Sequence, residues 1–324
     1  MSQYAHLSTP DVEYSEMVKS LPSRDRSQSH DVAVARKGLE LVGVELKRIL
    51  GPSLPKDTEY NVLDHKIESI NGEEFEIRCL VPTPAGQSEE TSPLLVWYHG
   101  GGWAAGQIDQ DDYDLRMMCV EVGICIVNVN YRRAPEHLFP TFIEDSYAAL
   151  KWALTNAPEL HASPAKGFII SGQSAGGEIA AVLSHWARDD PFFQGEGKRL
   201  TGQLLQYPLV LHPASESIYK EELVSMEQNN DPTAPMLTGG DCSWYAGTHL
   251  VSPLTYFTGY IGLTKASATD PNFSPILFPS HSNLPPMVMM ICGMDPLRDQ
   301  DFLYERVLRE SGVKTRTYVY AVLS

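Results

Sequence analysis

Between Asp31 and Leu50 the apolar positions Val32, Ala35, Leu39, Val42, Leu46 and Ile49 recur every three or four residues. That period predicts one amphipathic helix, with Asp31 placed to cap its first turn and Gly51-Pro52 to end it. Two extended runs follow, Tyr60 to Ile70 and Glu73 to Val81, joined through Asn71-Gly72, a dipeptide suited to a type I′ hairpin turn. They predict an antiparallel pair at the edge of a sheet. After Pro93 the pattern changes to short apolar runs: Leu94 to Tyr98, Ile124 to Tyr131, Gly167 to Ser171, Leu204 to Leu211, Met287 to Cys292 and Thr315 to Val322. Helical stretches such as Phe142 to Leu154 and Gly177 to Trp186 separate them. Strands apolar on both faces and alternating with helices predict an α/β fold with a mostly parallel central sheet and right-handed crossovers.

The alternation fails between Leu211 and Asn283, where the chain is irregular and rich in Ser, Gly, Pro and aromatic residues. An irregular stretch of that length inside an α/β domain is usually a functional insertion. The expected division is therefore an N-terminal helical lid over residues 1–58 and a main domain over residues 59–324, with a lid insertion at about 212–283. Both lid segments are expected over the C-terminal edge of the sheet, where such folds bind ligands.

With 41 acidic against 25 basic residues and a net charge of -16, the surface should repel phosphate backbones and anionic lipid, so neither nucleic acid nor a membrane is an expected partner. A small neutral molecule fits better, and a homodimer is left open. The first residues carry no basic and apolar leader, and no run of apolar residues reaches bilayer length, so the expected location is cytoplasmic. Cys79, Cys119, Cys125, Cys242 and Cys292 are an odd number at irregular spacing and read as buried free thiols. No metal-ligand spacing or P-loop appears, so no cofactor is implied.

Two motifs carry chemistry. Gly172-Gln173-Ser174-Ala175-Gly176 is a G-x-S-x-G sequence between an apolar run and a helical stretch, the setting in which a strand-to-helix elbow projects a serine hydroxyl. His99-Gly100-Gly101-Gly102-Trp103 ends another apolar run, and a backbone without side chains can aim N–H groups at a developing negative oxygen. Gly100, Gly101 and Ala175 are the expected donors. A rival reading, Gly100-x-Gly102-x-x-Ala105 as a dinucleotide-binding loop, lacks both the helix that should open at once and the acid that should end the next strand.

These motifs, with Tyr131-Arg132-Arg133-Ala134-Pro135-Glu136 and Asp295-Pro296-Leu297-Arg298-Asp299 in the same order, make the chain resemble the hormone-sensitive-lipase-like esterases of the α/β-hydrolase superfamily from about Leu94 onward. The resemblance implies an α/β-hydrolase fold with a helical lid and a serine carboxylesterase working through an acyl-enzyme. Its substrate would be a short-chain or acetylated small-molecule ester. Ser174 would be the nucleophile and Asp295 the acid that orients the base, with His99 and Gly102 completing the oxyanion motif. Trp244, Tyr245 and Phe257 would line an apolar substrate pocket.

Three positions depart from the family. Gln173 replaces an acidic residue beside the nucleophile, which removes a charge near the site and could alter a lid contact while leaving the elbow geometry intact, and Arg133 stands in place of leucine. The third is the histidine that the family carries beyond its last strand: no histidine follows His281. The expectation from sequence is a chain stopping short of the histidine loop and final helix, feeble on model esters and prone to associate through an uncovered sheet. The alternative is a non-catalytic binder of a small hydrophobic ligand, as in the gibberellin receptors that resemble the same family.

Overall fold

The strands expected from the apolar runs join one eight-stranded sheet in the order β1-β2-β4-β3-β5-β6-β7-β8. They are β1 Tyr60–Glu68, β2 Glu74–Pro82, β3 Leu94–Tyr98, β4 Cys125–Asn130, β5 Phe168–Gln173, β6 Gly202–Gln206, β7 Met287–Cys292 and β8 Thr315–Tyr320. The computed structural model describes residues 3–10, 12–13, 15–16, 31–83, 90–230, 241–242 and 264–321. Strand β2 runs antiparallel to β1 and β4, and every other pair is parallel. Burial follows from this placement: β3, central in the sheet, is buried at all five positions. Edge strand β8 leaves Tyr318, Val319 and Tyr320 exposed.

Two boundaries differ from the pattern for local reasons. The Asn71-Gly72 turn is not type I′, because only Gly72 of the pair has positive φ, at 80°. The Gly72 N–H donates to Ser69 O at 2.9 Å and the Ser69 N–H to Glu73 O at 2.8 Å, which makes a three-residue loop with a left-handed glycine at its end. Strand β6 stops at Gln206 rather than Leu211, because Tyr207 turns the chain with φ 37° and Pro208 has no N–H to offer a ladder.

Helix α1, Val32–Leu50, begins where expected, with the Asp31 carboxylate accepting the Ala33 N–H at 2.8 Å. Its apolar stripe was expected to pack as a lid. Instead no residue of α1 is buried, and Val42 and Ile49 are each 53% exposed. Polar bonds hold it. Arg36 donates to Ala104 O at 2.8 Å and Ala134 O at 3.0 Å, and forks onto Glu136 at 2.7 and 2.8 Å. Val32 packs against Ala104 and Ala134.

Helices α2 Asp112–Val122, α3 Thr141–Thr155, α4 Ala175–Asp189 and α5 Arg298–Glu310 flank the sheet. The α2 helix was not foreseen. Helix α4 is buried at twelve positions, from Ala175 to Ser184 plus His185 and Ala187, and its small residues let it lie close to β5 and β6. All five cysteines are free and buried, and burial pushes the thiols of Cys79, Cys119 and Cys292 up to about 12.

The N-terminal segment and the insertion reach the loop after β7. Tyr4 stacks on Phe302 with ring centroids 3.6 Å apart, and Ser8 Oγ accepts from Arg298 at 2.6 Å. The Val224 and Ser225 N–H groups both donate to Asp299 at 3.0 Å. Trp244, Tyr245, His249 and Phe257 lie outside the described residues. Among the described residues, no helix is long and apolar enough to cross a membrane.

Candidate active site

Ser174 occupies the turn between β5 and α4 with φ 52° and ψ −119°, a conformation L-residues avoid. The flanking glycines make it possible. A Cβ on Gly172 would lie 2.3 Å from Gly176 O, and one on Gly176 would lie 2.1 Å from Tyr98 O. Both sides of the serine are tied down, its N–H to Gln206 O at 2.9 Å and its carbonyl to the Glu178 N–H at 3.0 Å. Its hydroxyl makes no hydrogen bond with the described residues. Strain stored in a fixed backbone around a free hydroxyl is the arrangement of a nucleophile elbow.

The glycine loop meets this elbow from β3. A Cβ on Gly100 would lie 3.2 Å from the Gln173 carbonyl, so the two motifs are in backbone contact. Gly101 at φ 121°, Gly102 at φ 59° and Trp103 at φ 58° turn the loop back on itself. The N–H groups of Gly100, Gly101 and Ala175 donate to no described residue. Unengaged donors gathered by fixed backbone are what an oxyanion needs, each worth about 2.7–4 kcal/mol in a transition state. His99 shapes the loop. Its Nδ1 lies 2.8 Å from Gly100 O, its ring stacks on Tyr131 at 4.2 Å, and Tyr131 OH donates to His99 O at 2.7 Å. Burial pushes the imidazole down to about 4, which keeps it neutral at physiological pH.

Sequence reasoning missed a link between the loop and α4. Trp103 Nε1 donates at 2.9 Å to Glu178, a carboxyl that burial drives well above its ordinary pKa. A separation of seventy-five positions hides this pairing from any local pattern.

Among the described residues Gln173 bonds to two side chains beside the elbow. Its Nε2 donates to Asp111 at 2.6 Å and its Oε1 accepts from Tyr207 OH at 2.7 Å. Asp111 also accepts from Trp97 Nε1 at 2.9 Å. Burial raises the Asp111 carboxyl to about 6, partly offset by the bonds from Trp97 and Gln173. Because this exceeds the ordinary value of 3.8 for an aspartate, the contribution of Asp111 to stability is complete below that value and falls as the pH rises to about 6. Gln173→Glu would put a second carboxyl in contact with the first, and the pair would share one proton. Thermal unfolding of that variant is expected to match the parent near pH 5 and to fall progressively behind it above pH 6, by about 1–3 kcal/mol at pH 8. Parallel pH profiles for the two proteins would contradict the contact.

Asp295 lies on the turn after β7, two strands from the elbow, and is 4% exposed. Its Oδ1 accepts the Leu297 N–H at 2.7 Å, and its carbonyl accepts from Asn229 of the insertion at 2.9 Å. Burial pushes the carboxyl up to about 7, against the pull of the Leu297 N–H and the Arg298 charge. Tyr207 lies within the electrostatic reach of both Asp111 and Asp295, and burial with those charges raises its phenol. Of the histidines near the insertion, His281 is engaged elsewhere: its Nδ1 is 3.0 Å from His185 Nε2 and its Nε2 3.2 Å from Ile276 O.

The chain belongs to the alpha/beta hydrolase fold family, which it matches over residues 95–323, and within it to the hormone-sensitive-lipase-like esterase group. It is similar to a structure of vibralactone cyclase, with 40% identity and a TM-score of 0.89 over 98% of this chain and 88% of that one. A hyperthermophilic esterase from the archaeon Pyrobaculum calidifontis superposes with a TM-score of 0.76 at 29% identity, covering 96% of this chain and 89% of that one. The carboxylic ester hydrolase LipN of Mycobacterium tuberculosis is 32% identical over 75% of this chain and 59% of its own length.

Proposed function

We propose that the protein is a carboxylic ester hydrolase that acts on a short-chain or acetylated small-molecule ester, with Ser174 as nucleophile. The observation that carries this reading is the strained, unbonded serine on an elbow in backbone contact with a glycine loop, with the N–H groups of Gly100, Gly101 and Ala175 bonded to no described residue. Ser174 Oγ attacks the ester carbonyl, its proton passes to a base, and the carbonyl oxygen takes up negative charge within reach of Gly100, Gly101 and Ala175 N–H. Collapse expels the alcohol and leaves an acyl-enzyme, which water then hydrolyses. Asp295 has the place of the acid that orients an imidazole base, and ionisation of its carboxyl is favoured once a cation lies beside it. The described histidines His99 and His281 are committed to other bonds, so the base is the one member of the triad these residues do not supply.

The experiment is a panel of p-nitrophenyl esters from acetate to palmitate, run with and without imidazole as an external base, with mass analysis of the protein. Short acyl groups should be preferred, turnover should rise with imidazole, and the acyl mass should map to Ser174. Preference for long chains would overturn the substrate class. Failure to find acyl-Ser174 under either condition would overturn the nucleophile and favour a pure binder. Likeness to a cyclase supports a second reading, in which a nucleophile within the bound substrate closes a ring in place of water. A cyclic ester plus the free alcohol, together equal in mass to the substrate, instead of the open acid plus alcohol with a water taken up, would distinguish it.

A further inference from the structure

A groove of about 420 Å³ lies between α1 and the loop that leads from the glycine motif into α2. Neither Ser174 nor the three oxyanion donors line it. Its chemistry is unusual for this protein. In a chain with 41 acidic and 25 basic residues, five cations converge here: Arg36, Lys47, Arg78, Arg116 and Arg133.

The acidic residues of the lining are already spoken for. Asp109 is paired with Arg78, Asp112 with Arg78 and Arg116, and Glu40 with Lys37 outside the groove. Arg36 is matched by Glu136. Two cations make no ion pair with a described carboxylate. Lys47 is exposed near the end of α1, and Arg133 is half-buried with one bond, to the Gly106 carbonyl. Burial and the neighbouring Arg36 work against the charge on Arg133, and the weaker fields of Tyr131 and Glu136 only partly offset them, a cost that a bound anion would reduce. Gly43 widens the groove, since a Cβ there would meet nothing within 4 Å.

We propose that this groove is a second binding site, which takes a small polyanion bearing phosphate or carboxylate groups between Arg133 and Lys47. A planar guanidinium half out of water suits two-point recognition of either oxyanion, and the lysine adds a point charge at the open end. Long-range attraction does not explain such binding, because the overall charge of -16 repels anions. The contact of Arg133 with Gly106 also places the site against the glycine loop: a Cβ on Gly106 would lie 2.2 Å from Gly100 O and 2.5 Å from His99 Nδ1.

Calorimetric titration of the full chain with inorganic pyrophosphate and, separately, citrate tests the proposal without reference to ester turnover. At least one should bind with a dissociation constant below about 1 mM at low salt, weakening as salt rises. The tighter of the two identifies the oxyanion class. Arg133→Leu should weaken binding about tenfold or more and Lys47→Ala roughly threefold, while Lys220→Ala, outside the groove, should leave it unchanged. Lys47 is exposed, so its variant folds even if the Arg133 variant does not. No saturable binding of either anion up to about 10 mM overturns the proposal, as does binding that neither groove variant affects.

Discussion

Ser174→Ala is expected to keep the fold and to abolish both acyl-enzyme formation and ester turnover, a loss of about 10⁶-fold where the complete catalytic machinery is present. The stability side follows from geometry. The hydroxyl bonds to no described residue, and alanine meets the same strain at φ 52° that serine already bears, so the unfolding free energy should change by less than about 0.5 kcal/mol. On the chemical side, nothing else in the elbow can form the ester bond: Gln173 is held by Asp111 and Tyr207, and Ala175 contributes only backbone. Labelling with a fluorophosphonate, read by intact mass, should mark the parent once and the variant not at all. A variant labelled at the parent rate would move the nucleophile elsewhere.

Gly176→Ala should be strongly destabilising. The added carbon would lie 2.1 Å from Tyr98 O and 2.6 Å from His99 O, both backbone atoms at the end of β3. Neither can rotate away, so α4 must lift off the sheet or β3 must shift. A strained insertion of this kind costs about 3 kcal/mol. The displaced helix also takes the Ala175 N–H away from Gly100 and Gly101, so catalytic competence should fall further than stability. Gly38→Ala is the matched control, because no atom lies within 4 Å of the new carbon in α1 and the helix should gain about 0.5–1 kcal/mol. Urea midpoints for the two variants should move in opposite directions. A Gly176→Ala protein with an unchanged midpoint would mean that the elbow and the glycine loop are not in contact.

The strand runs were legible because burial on both faces writes itself into consecutive apolar residues. Leu94 to Tyr98 and Met287 to Cys292 match their strands end to end. Runs that continue beyond the sheet were overextended: Leu204 to Leu211 stays apolar after leaving β6, because Val210 and Leu211 are buried where their N–H groups meet Gln300. The glycine loop and the elbow were legible for a different reason, since backbone that must approach backbone admits only glycine. What stayed hidden is pairing across the fold. Gln173 finds Asp111 sixty-two residues away, and His281 finds His185 ninety-six residues away, separations that leave no trace in any local period. Arg133 stood out as a departure with no explanation, and its meaning depended on the cations that α1 and β2 bring to the same groove.

The buried thiols make the molecule its own clock. A thiol held at about 12, as in Cys79, Cys119 and Cys292, is ionised to only about one part in 10⁵ at pH 7, so alkylating reagents can attack it only after the surrounding structure opens. Modification rates therefore count openings, each cysteine for its own neighbourhood: Cys79 for β2, Cys119 for α2, Cys125 for β4, Cys292 for β7 and Cys242 for the insertion. A maleimide time course followed by peptide mass mapping would order these regions by how often they breathe. The carboxylate turn after Cys292 and the hairpin strand holding Cys79 could then be timed separately, in one tube and without a single mutation.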